Sequence, residues 1–308
     1  MNTLESKEEK SKTKCGKLLF YIGLIALPTI QFIIFYICVN FNSILLAFQS
    51  YDKISNQYSF AGLNNLKDVI THFTSVMGKM QLKNSLLLAF FTIIVLLPLS
   101  ALCSYYVYKG KWFAETFKVV LFLPSVISGL VMIIVYKYMV ELGIPEILTK
   151  LTGHKVNGLF SNPDTKFGTI LFFTLWIGLG GNLLMYLNAM SSISESIVEA
   201  AKIDGVGFFG EFWYITVPII FPTISTFILT GVAGIFTNQM NLFSFESYLA
   251  PAHVQTVGYF MYKELYLNKA TIDAWPFLSA MGVMLTAITV PFVFLLRRIF
   301  TKYDPMES

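Results

Sequence analysis

Residues 199–218 read EAAKIDGVGFFGEFWYITVP and lie between two long apolar runs, residues 168–190 and 217–237. The stretch holds three acidic residues, one lysine and three glycines, and its second half is rich in aromatic residues. Both neighbouring runs are long enough to cross a bilayer, which takes about 20 apolar residues in a helix. The stretch is therefore predicted to be a polar segment that joins two membrane spans.

This polar segment starts with a predicted helix, because residues 191–205 read SSISESIVEAAKIDG. Ser192 or Ser194 can cap its start, and Glu195 follows Ser192 at the spacing of a capping box. Gly205 can adopt the left-handed conformation that ends a helix. Helical periodicity predicts one narrow face of small and apolar residues, made of Ile193, Ile197, Ala200 or Ala201, and Asp204.

The rest of the chain is equally apolar. Of its 308 residues, 55% are hydrophobic and only 13% are charged, and the mean hydropathy is +0.65, whereas soluble domains are about one quarter charged. This composition predicts an all-α, polytopic membrane protein with six transmembrane helices. The predicted spans are residues 18–40, 84–108, 117–140, 168–190, 217–237 and 275–296.

The distribution of Lys and Arg predicts the orientation. With six spans both termini share one side, and the loops on that side carry 12 Lys and Arg against 9 in the longer loops opposite. By the positive-inside rule, that side faces the cytoplasm. The predicted organisation is a basic cytoplasmic tail at 1–17, a six-span transmembrane domain at 18–298 with a cytoplasmic loop at 191–218, and a second cytoplasmic tail at 299–308.

Several kinds of chemistry are missing from the sequence. There is no G-x-x-x-x-G-K-[ST] stretch, so the chain is not expected to use ATP itself. The predicted limits of the six spans contain no Asp or Glu, although proton- and sodium-driven transporters usually hold carboxylates there. The histidines and cysteines show no metal-site or catalytic spacing. We expect no catalytic residue, no metal, no cofactor and no nucleic-acid partner.

The sequence resembles a known family at the polar segment. Permease subunits of bacterial ABC importers that depend on a binding protein carry E-A-A, a glycine four residues on, and I-x-L-P after nine more. This chain has that spacing, with Val217 in place of the leucine. The stretches FAGLNNL (60–66) and FLPSVISGLVM (122–132) resemble the carbohydrate-uptake subgroup, as does the span region from 176 to 187. The resemblance is to the six-span glycerol phosphate and multiple-sugar permeases and to the maltose permease subunits.

The resemblance implies a type I ABC importer permease fold and an ATP-driven mechanism. It implies four kinds of partner besides membrane lipid: a second homologous permease chain, two ATPase subunits that bind ATP and Mg²⁺, an extracellular solute-binding protein, and a sugar or oligosaccharide. It also implies that loop 191–218 docks on the ATPase and couples it to transport. The residues implied in that coupling are Glu199, Ala200, Ala201, Asp204, Gly205, Phe212, Ile215 and Pro218.

The solute pathway is predicted from residue type alone. Sugars bind to amide groups and to the faces of aromatic rings, although amides in membrane helices also hold helices together. The predicted pathway residues are Trp176, Asn182, Tyr186, Asn188, Asn238, Gln239 and Asn241. Two other functions stay open: import of another polar solute, such as glycerol phosphate or a peptide, and secondary transport.

Overall fold

A computed structural model describes residue 17, residues 20–267 and residues 274–305. The predicted basic tail at 1–17 lies almost entirely outside the described residues, and so does the end of the tail at 299–308. The predicted orientation and the domain limits stay predictions.

Helices dominate the described chain, as predicted. They are α1 (Phe20–Leu46), α2 (Asn64–Thr74), α3 (Val76–Tyr108), α4 (Ala114–Val126), α5 (Gly129–Thr152), α6 (Pro163–Met190), α7 (Glu195–Ile203), α8 (Phe208–Ile219), α9 (Phe221–Ala233), α10 (Leu242–Glu246), α11 (Val257–Leu267) and α12 (Trp275–Lys302). Within the described ranges, four of them are long and apolar enough to cross a membrane, or six spans form if two bent pairs each count as one. The all-α fold is confirmed.

Two pairs of consecutive helices are bent in regions where the sequence predicted single spans. Helices α4 and α5 meet at 104°, and α8 and α9 meet at 72°. The first break follows Pro124, where Ile127 is extended with ψ 146°. The second break precedes Pro222, which lies in the first turn of α9 and cannot donate a backbone hydrogen bond. The predicted span at 117–140 therefore consists of parts of two helices, α4 and α5, with the bend between them.

Helix α5 also runs to Thr152, twelve residues past the predicted end of the third span. Glu141 therefore lies on this helix, just outside the limits within which the spans lack carboxylates. One of its oxygens, Oε2, accepts a hydrogen bond from Ser161 Oγ at 2.9 Å. The other, Oε1, is buried and has no hydrogen-bond partner among the described residues.

Proline also shapes the continuous helices. Wide helical turns with i→i+5 hydrogen bonding occupy Phe91–Leu96, Met139–Gly143 and Phe212–Thr216. Each is followed within two residues by a proline, at 98, 145 and 218 respectively. Because a proline ring displaces the carbonyl group one turn earlier, a widened turn is a common way for a helix to accommodate it.

The described residues form two compact units. The first comprises the described residues up to Val69 and the start of α12 through Val283. It contains an antiparallel hairpin, β1 (Gln49–Asp52) and β2 (Gln57–Phe60), which the sequence analysis did not predict. Asn65 Nδ2 holds the hairpin to the end of α1, because it donates to the carbonyls of Ala47 at 2.9 Å and Gln49 at 2.7 Å.

The second unit comprises the described residues from 70 to 267 and from 284 to 305. One of its apolar clusters surrounds Tyr136 and Phe173 on α5 and α6. A second cluster surrounds Tyr105 and Tyr186 near the ends of α3 and α6. Between α10 and α11 the chain is held to α3 by buried polar groups: Asn84 Nδ2 donates to the carbonyl of Gln255 at 2.9 Å, and the backbone N–H of Val257 donates to Ser85 Oγ at 2.9 Å.

Candidate functional site

The loop at 191–218 forms a short helix that ends in a glycine turn. Helix α7 stops at Ile203, and Gly205 has a φ of +72°. The backbone N–H of Gly205 donates to the Lys202 carbonyl at 3.1 Å, and that of Val206 donates to the Ala201 carbonyl at 3.0 Å. This pair of hydrogen bonds defines a Schellman motif, in which a left-handed residue satisfies the last carbonyls of a helix. The predicted helix and the predicted left-handed glycine are both confirmed.

The predicted capping box is wrong. The N-cap residue is Ser194, whose hydroxyl lies 2.7 Å from Ser196 Oγ and makes no capping hydrogen bond. Ser192 Oγ instead donates to the Ala189 carbonyl at 2.7 Å. Residues 191–193 belong to a turn that closes the end of α6, so Glu195 becomes the first helical residue instead of the third.

Helix α7 has a buried face and an exposed face. Ala201 is buried, as is Ile193 just before the helix, and Val198 packs partly against the same cluster. Ile197 and Ala200 are exposed. The predicted single face with Ile193, Ile197 and Asp204 is therefore split in two. Successive residues in a helix lie about 100° apart, and the step from Ala200 to Ala201 crosses from the exposed face to the buried one.

The exposed face of α7 is the surface that a partner can contact. It carries Ala200 and Glu199 together with Ile203, which is 85% exposed, and Asp204 is exposed just beyond the helix. Of the predicted coupling residues, Ala201 lies on the opposite face and is 4% exposed. It fixes the helix to the membrane spans instead of presenting it to a partner.

The aromatic residues after Gly205 lead the chain back into a span. Phe212 is buried against Tyr105 of α3, with 5.1 Å between the ring centroids. Phe208 lies against the same ring at 4.7 Å. Ile215 and Pro218 are half-buried on α8. Apart from the buried Ala201, the predicted coupling residues thus lie either on the exposed face of α7 or on α8, with Gly205 between them. We call the contact of Phe208 and Phe212 with Tyr105 the aromatic anchor.

A cavity of about 470 Å³ lies between α3, α6 and α9. Among the described residues that line it, none carries a charge. Three glycines, at 178, 231 and 234, contribute to its wall and leave it open. Its polar side chains include Thr92, Thr174, Asn182, Thr230, Thr237 and Asn238.

Two of the predicted pathway residues, Asn182 and Asn238, line this cavity. Asn238 Oδ1 accepts from the backbone N–H of Met240 at 2.9 Å, which leaves its NH₂ group available. Asn182 on α6 makes no side-chain hydrogen bond to other described residues. Both amides can therefore donate to a solute in the cavity, and Asn182 can also accept.

The other predicted pathway residues lie elsewhere. Tyr186 is fully buried, with its ring 4.9 Å from that of Phe227, and Trp176 packs at the edge of the other apolar cluster. Asn188 is exposed toward the end of α6, and Gln239 and Asn241 lie in the turn before α10. Their part in a pathway stays a prediction.

Sequence reasoning missed the residues that join the loop to α3. Lys109 Nζ lies 2.6 Å from Glu211 Oε1, and both side chains are largely buried. Tyr105 Oη donates to the Phe208 carbonyl at 3.2 Å. Lys109 and Glu211 are 102 residues apart, and no local pattern in the sequence marks them as partners. Within the described ranges, no group of three or more His, Cys, Asp or Glu residues is placed to hold a metal ion.

Four to six apolar spans, a cavity between α3, α6 and α9 whose described lining is uncharged, and a helix with an exposed face in a polar loop are features of a transport protein of the membrane. Comparison with known proteins identifies the kind of transporter. The model of the family "binding-protein-dependent transport system inner membrane component" matches residues 96–306. The chain belongs to this family, whose members are membrane-spanning transport subunits.

Individual relatives agree with the family. The chain is 28% identical over 219 residues to the multiple sugar-binding transport system permease protein MsmF of Streptococcus mutans, which covers 68% of this chain and 71% of MsmF. It is 26% identical over 206 residues to the arabinooligosaccharides transport system permease protein AraP of Bacillus subtilis, which covers 65% of this chain and 63% of AraP. These matches leave about a third of each relative uncovered.

The fold also matches solved structures. One chain of a bacterial ABC transporter involved in the import of the acidic polysaccharide alginate superimposes with a TM-score of 0.74. The match covers 93% of this chain and 97% of that chain at 18% sequence identity. At this identity the likeness concerns the fold, which is that of a type I ABC importer permease.

Proposed function

We propose that this chain is the permease subunit of an ATP-driven bacterial importer that takes up a sugar or oligosaccharide. It works beside a second homologous permease chain and two ATPase subunits, and an extracellular binding protein delivers the solute. Loop 191–218 and both termini face the cytoplasm. ATP and Mg²⁺ bind to the ATPase subunits, and the solute passes along the cavity between α3, α6 and α9.

The observation that carries this proposal is the arrangement of α7. Its buried side is fixed to the spans by Ala201 and its neighbours, while Ala200 and Ile203 face outward. After the Schellman turn at Gly205, the chain enters α8, whose Phe208 and Phe212 form the aromatic anchor against Tyr105 of α3. A helix held in this way can transmit a push from a bound ATPase to the spans without bending at its attachment.

The cavity supports a neutral sugar over the alternative of glycerol phosphate. A phosphate group is usually bound by Arg, Lys or a helix N-terminus, whereas the described lining of the cavity offers only amides, hydroxyls and apolar groups. Sugar hydroxyls are donors and acceptors that match this set. The relatives MsmF and AraP are named for the transport of sugars, and this supports the same substrate class.

We expect Asn182→Leu to lower the maximal rate of sugar uptake by about tenfold. The substitution keeps the number and branching of the side chain's heavy atoms but removes hydrogen bonds to the solute, and one lost hydrogen bond of about 1.4 kcal/mol corresponds to a factor of ten. The half-saturating sugar concentration is expected to stay constant, since the external binding protein collects the solute. The measurement is the uptake of radiolabelled sugar by cells as a function of concentration.

The matched control is Asn40→Leu on α1, where the amide faces away from the protein and bonds back to the Tyr36 carbonyl of its own helix. This variant is expected to take up sugar at the native rate. An unchanged maximal rate in Asn182→Leu, with equal amounts of protein in the membrane, would remove the cavity from the pathway.

A further inference from the structure

A buried ion pair joins the polar loop to the end of a membrane span. Lys109 follows directly after α3, and Glu211 lies in the first turn of α8. The Nζ and Oε1 atoms are 2.6 Å apart, and the two side chains are 14% and 6% exposed. By contrast, the pair between Lys150 and Glu146 is 74% and 67% exposed, and such surface pairs contribute little.

The pair is part of a larger contact. Tyr105, one turn before Lys109, is fully buried and donates its hydroxyl hydrogen to the Phe208 carbonyl. Its ring contacts those of Phe208 and Phe212, and Lys109 Nζ lies 5.9 Å from its centroid. The end of α3 and the start of α8 therefore touch through an ion pair, a hydrogen bond and three rings.

The charges also suit the ends of the helices that they occupy. A cation is favourable at a helix C-terminus and an anion at a helix N-terminus, which is how Lys109 and Glu211 are placed. Removing one partner leaves the other charge buried and unpaired, which is much less favourable than losing a surface pair. The two residues are therefore expected to move together.

Helix α3 connects this contact to the cavity. Its residues Ser85, Leu88, Thr92 and Leu96 line the cavity, and the same helix ends at Tyr108, directly before Lys109. A displacement of the loop can thus reach the cavity along α3. It need not travel only through the chain from α8 to α9.

We propose that Lys109 and Glu211 are positioning residues that transmit movement of loop 191–218 to α3 and so to the cavity. This inference rests on the proposed function, because the movement is that imposed by the ATPase. Without the ion pair, the assembled transporter continues to hydrolyse ATP but imports less sugar for each ATP hydrolysed.

The test uses the complete transporter in proteoliposomes, with its ATPase subunits, second permease chain and binding protein. The variants are Lys109→Met, Glu211→Gln and the exchange Lys109→Glu with Glu211→Lys. The readout is the number of sugar molecules imported per ATP hydrolysed. We expect each single variant to retain its ATPase subunits and to lower this ratio by about tenfold, within the usual range of coupling between sites. The exchange is expected to recover part of the loss, since it restores the pair but opposes the helix dipoles.

The pair between Lys166 and Glu246 is a matched control. Its atoms are 2.9 Å apart and its side chains are 12% and 17% exposed, yet it joins α6 to α10, far along the chain from the loop. Lys166→Met is expected to leave the ratio unchanged. The inference is overturned if Lys109→Met and Glu211→Gln keep the native ratio, if they lose their ATPase subunits, or if Lys166→Met lowers the ratio equally. If the native transporter itself imports no sugar with ATP, the proposed function fails first.

Discussion

Gly205→Pro is expected to reduce sugar uptake to the background of cells that lack the chain, while the amount of protein in the membrane stays normal. Proline fixes φ near −65°, but Gly205 has a φ of +72°. Proline also lacks the N–H that Gly205 donates to the Lys202 carbonyl. The end of α7 must then rearrange, and with it the direction in which the exposed face of the helix points.

A pair of alanine variants separates this effect from general damage to the loop. Gly205→Ala places a Cβ atom on a left-handed residue, which costs about 1 kcal/mol or more. Gly207 has a φ of −73°, and a Cβ atom built on it meets no atom within 4 Å. We expect Gly205→Ala to lower uptake and Gly207→Ala to leave it native. Full uptake by Gly205→Pro would contradict a coupling role for the loop.

The second large effect concerns the energy source. Depletion of cellular ATP is expected to abolish uptake, whereas collapse of the proton and sodium gradients at constant ATP is expected to leave the initial rate unchanged. Ion-driven transporters usually hold carboxylates in the membrane that bind the coupling ion. The described parts of α1, α3, α9 and α12 contain no Asp or Glu. Helices α4, α6 and α8 hold one each, in the first turn, and α5 holds Glu141 and Glu146 in its second half.

The rival model, secondary transport, has one residue in its favour. Glu141 on α5 has a buried oxygen without a hydrogen-bond partner among the described residues, so it is the place where a coupling ion would bind. Glu141→Gln is expected to keep ATP-dependent uptake. Loss of uptake after collapse of the gradients, together with loss in Glu141→Gln at normal ATP, would support the rival.

Local sequence signals predicted the parts of the site that local forces determine. Helix α7 and its end at Gly205 follow from periodicity and from the freedom of glycine to adopt positive φ. The start was left open between Ser192 and Ser194, because the choice depends on where α6 ends, and Ser194 holds the N-cap position. The split of Ala200 and Ala201 between two faces depends on which side of α7 meets the spans, which a narrow small-residue face does not specify.

Features that depend on distant contacts were missed. The bend between α4 and α5 is not determined by Pro124 alone, since Pro291 lies inside the continuous helix α12. Tyr186 is the right residue type for a sugar site but packs in the core. The ion pair of Lys109 with Glu211 forms because two helix ends lie next to each other. A single sequence does not show which helix ends are neighbours.

Purification of the native complex tests the central claim most directly. A tagged chain, extracted from its own membrane in mild detergent, is analysed by native mass spectrometry. We predict one copy of this chain with one second permease chain and two ATP-binding subunits, and we predict that Glu199→Lys, on the exposed face of α7, loses the ATP-binding subunits but keeps the second permease. A chain that is recovered alone, or only with copies of itself, would contradict the account.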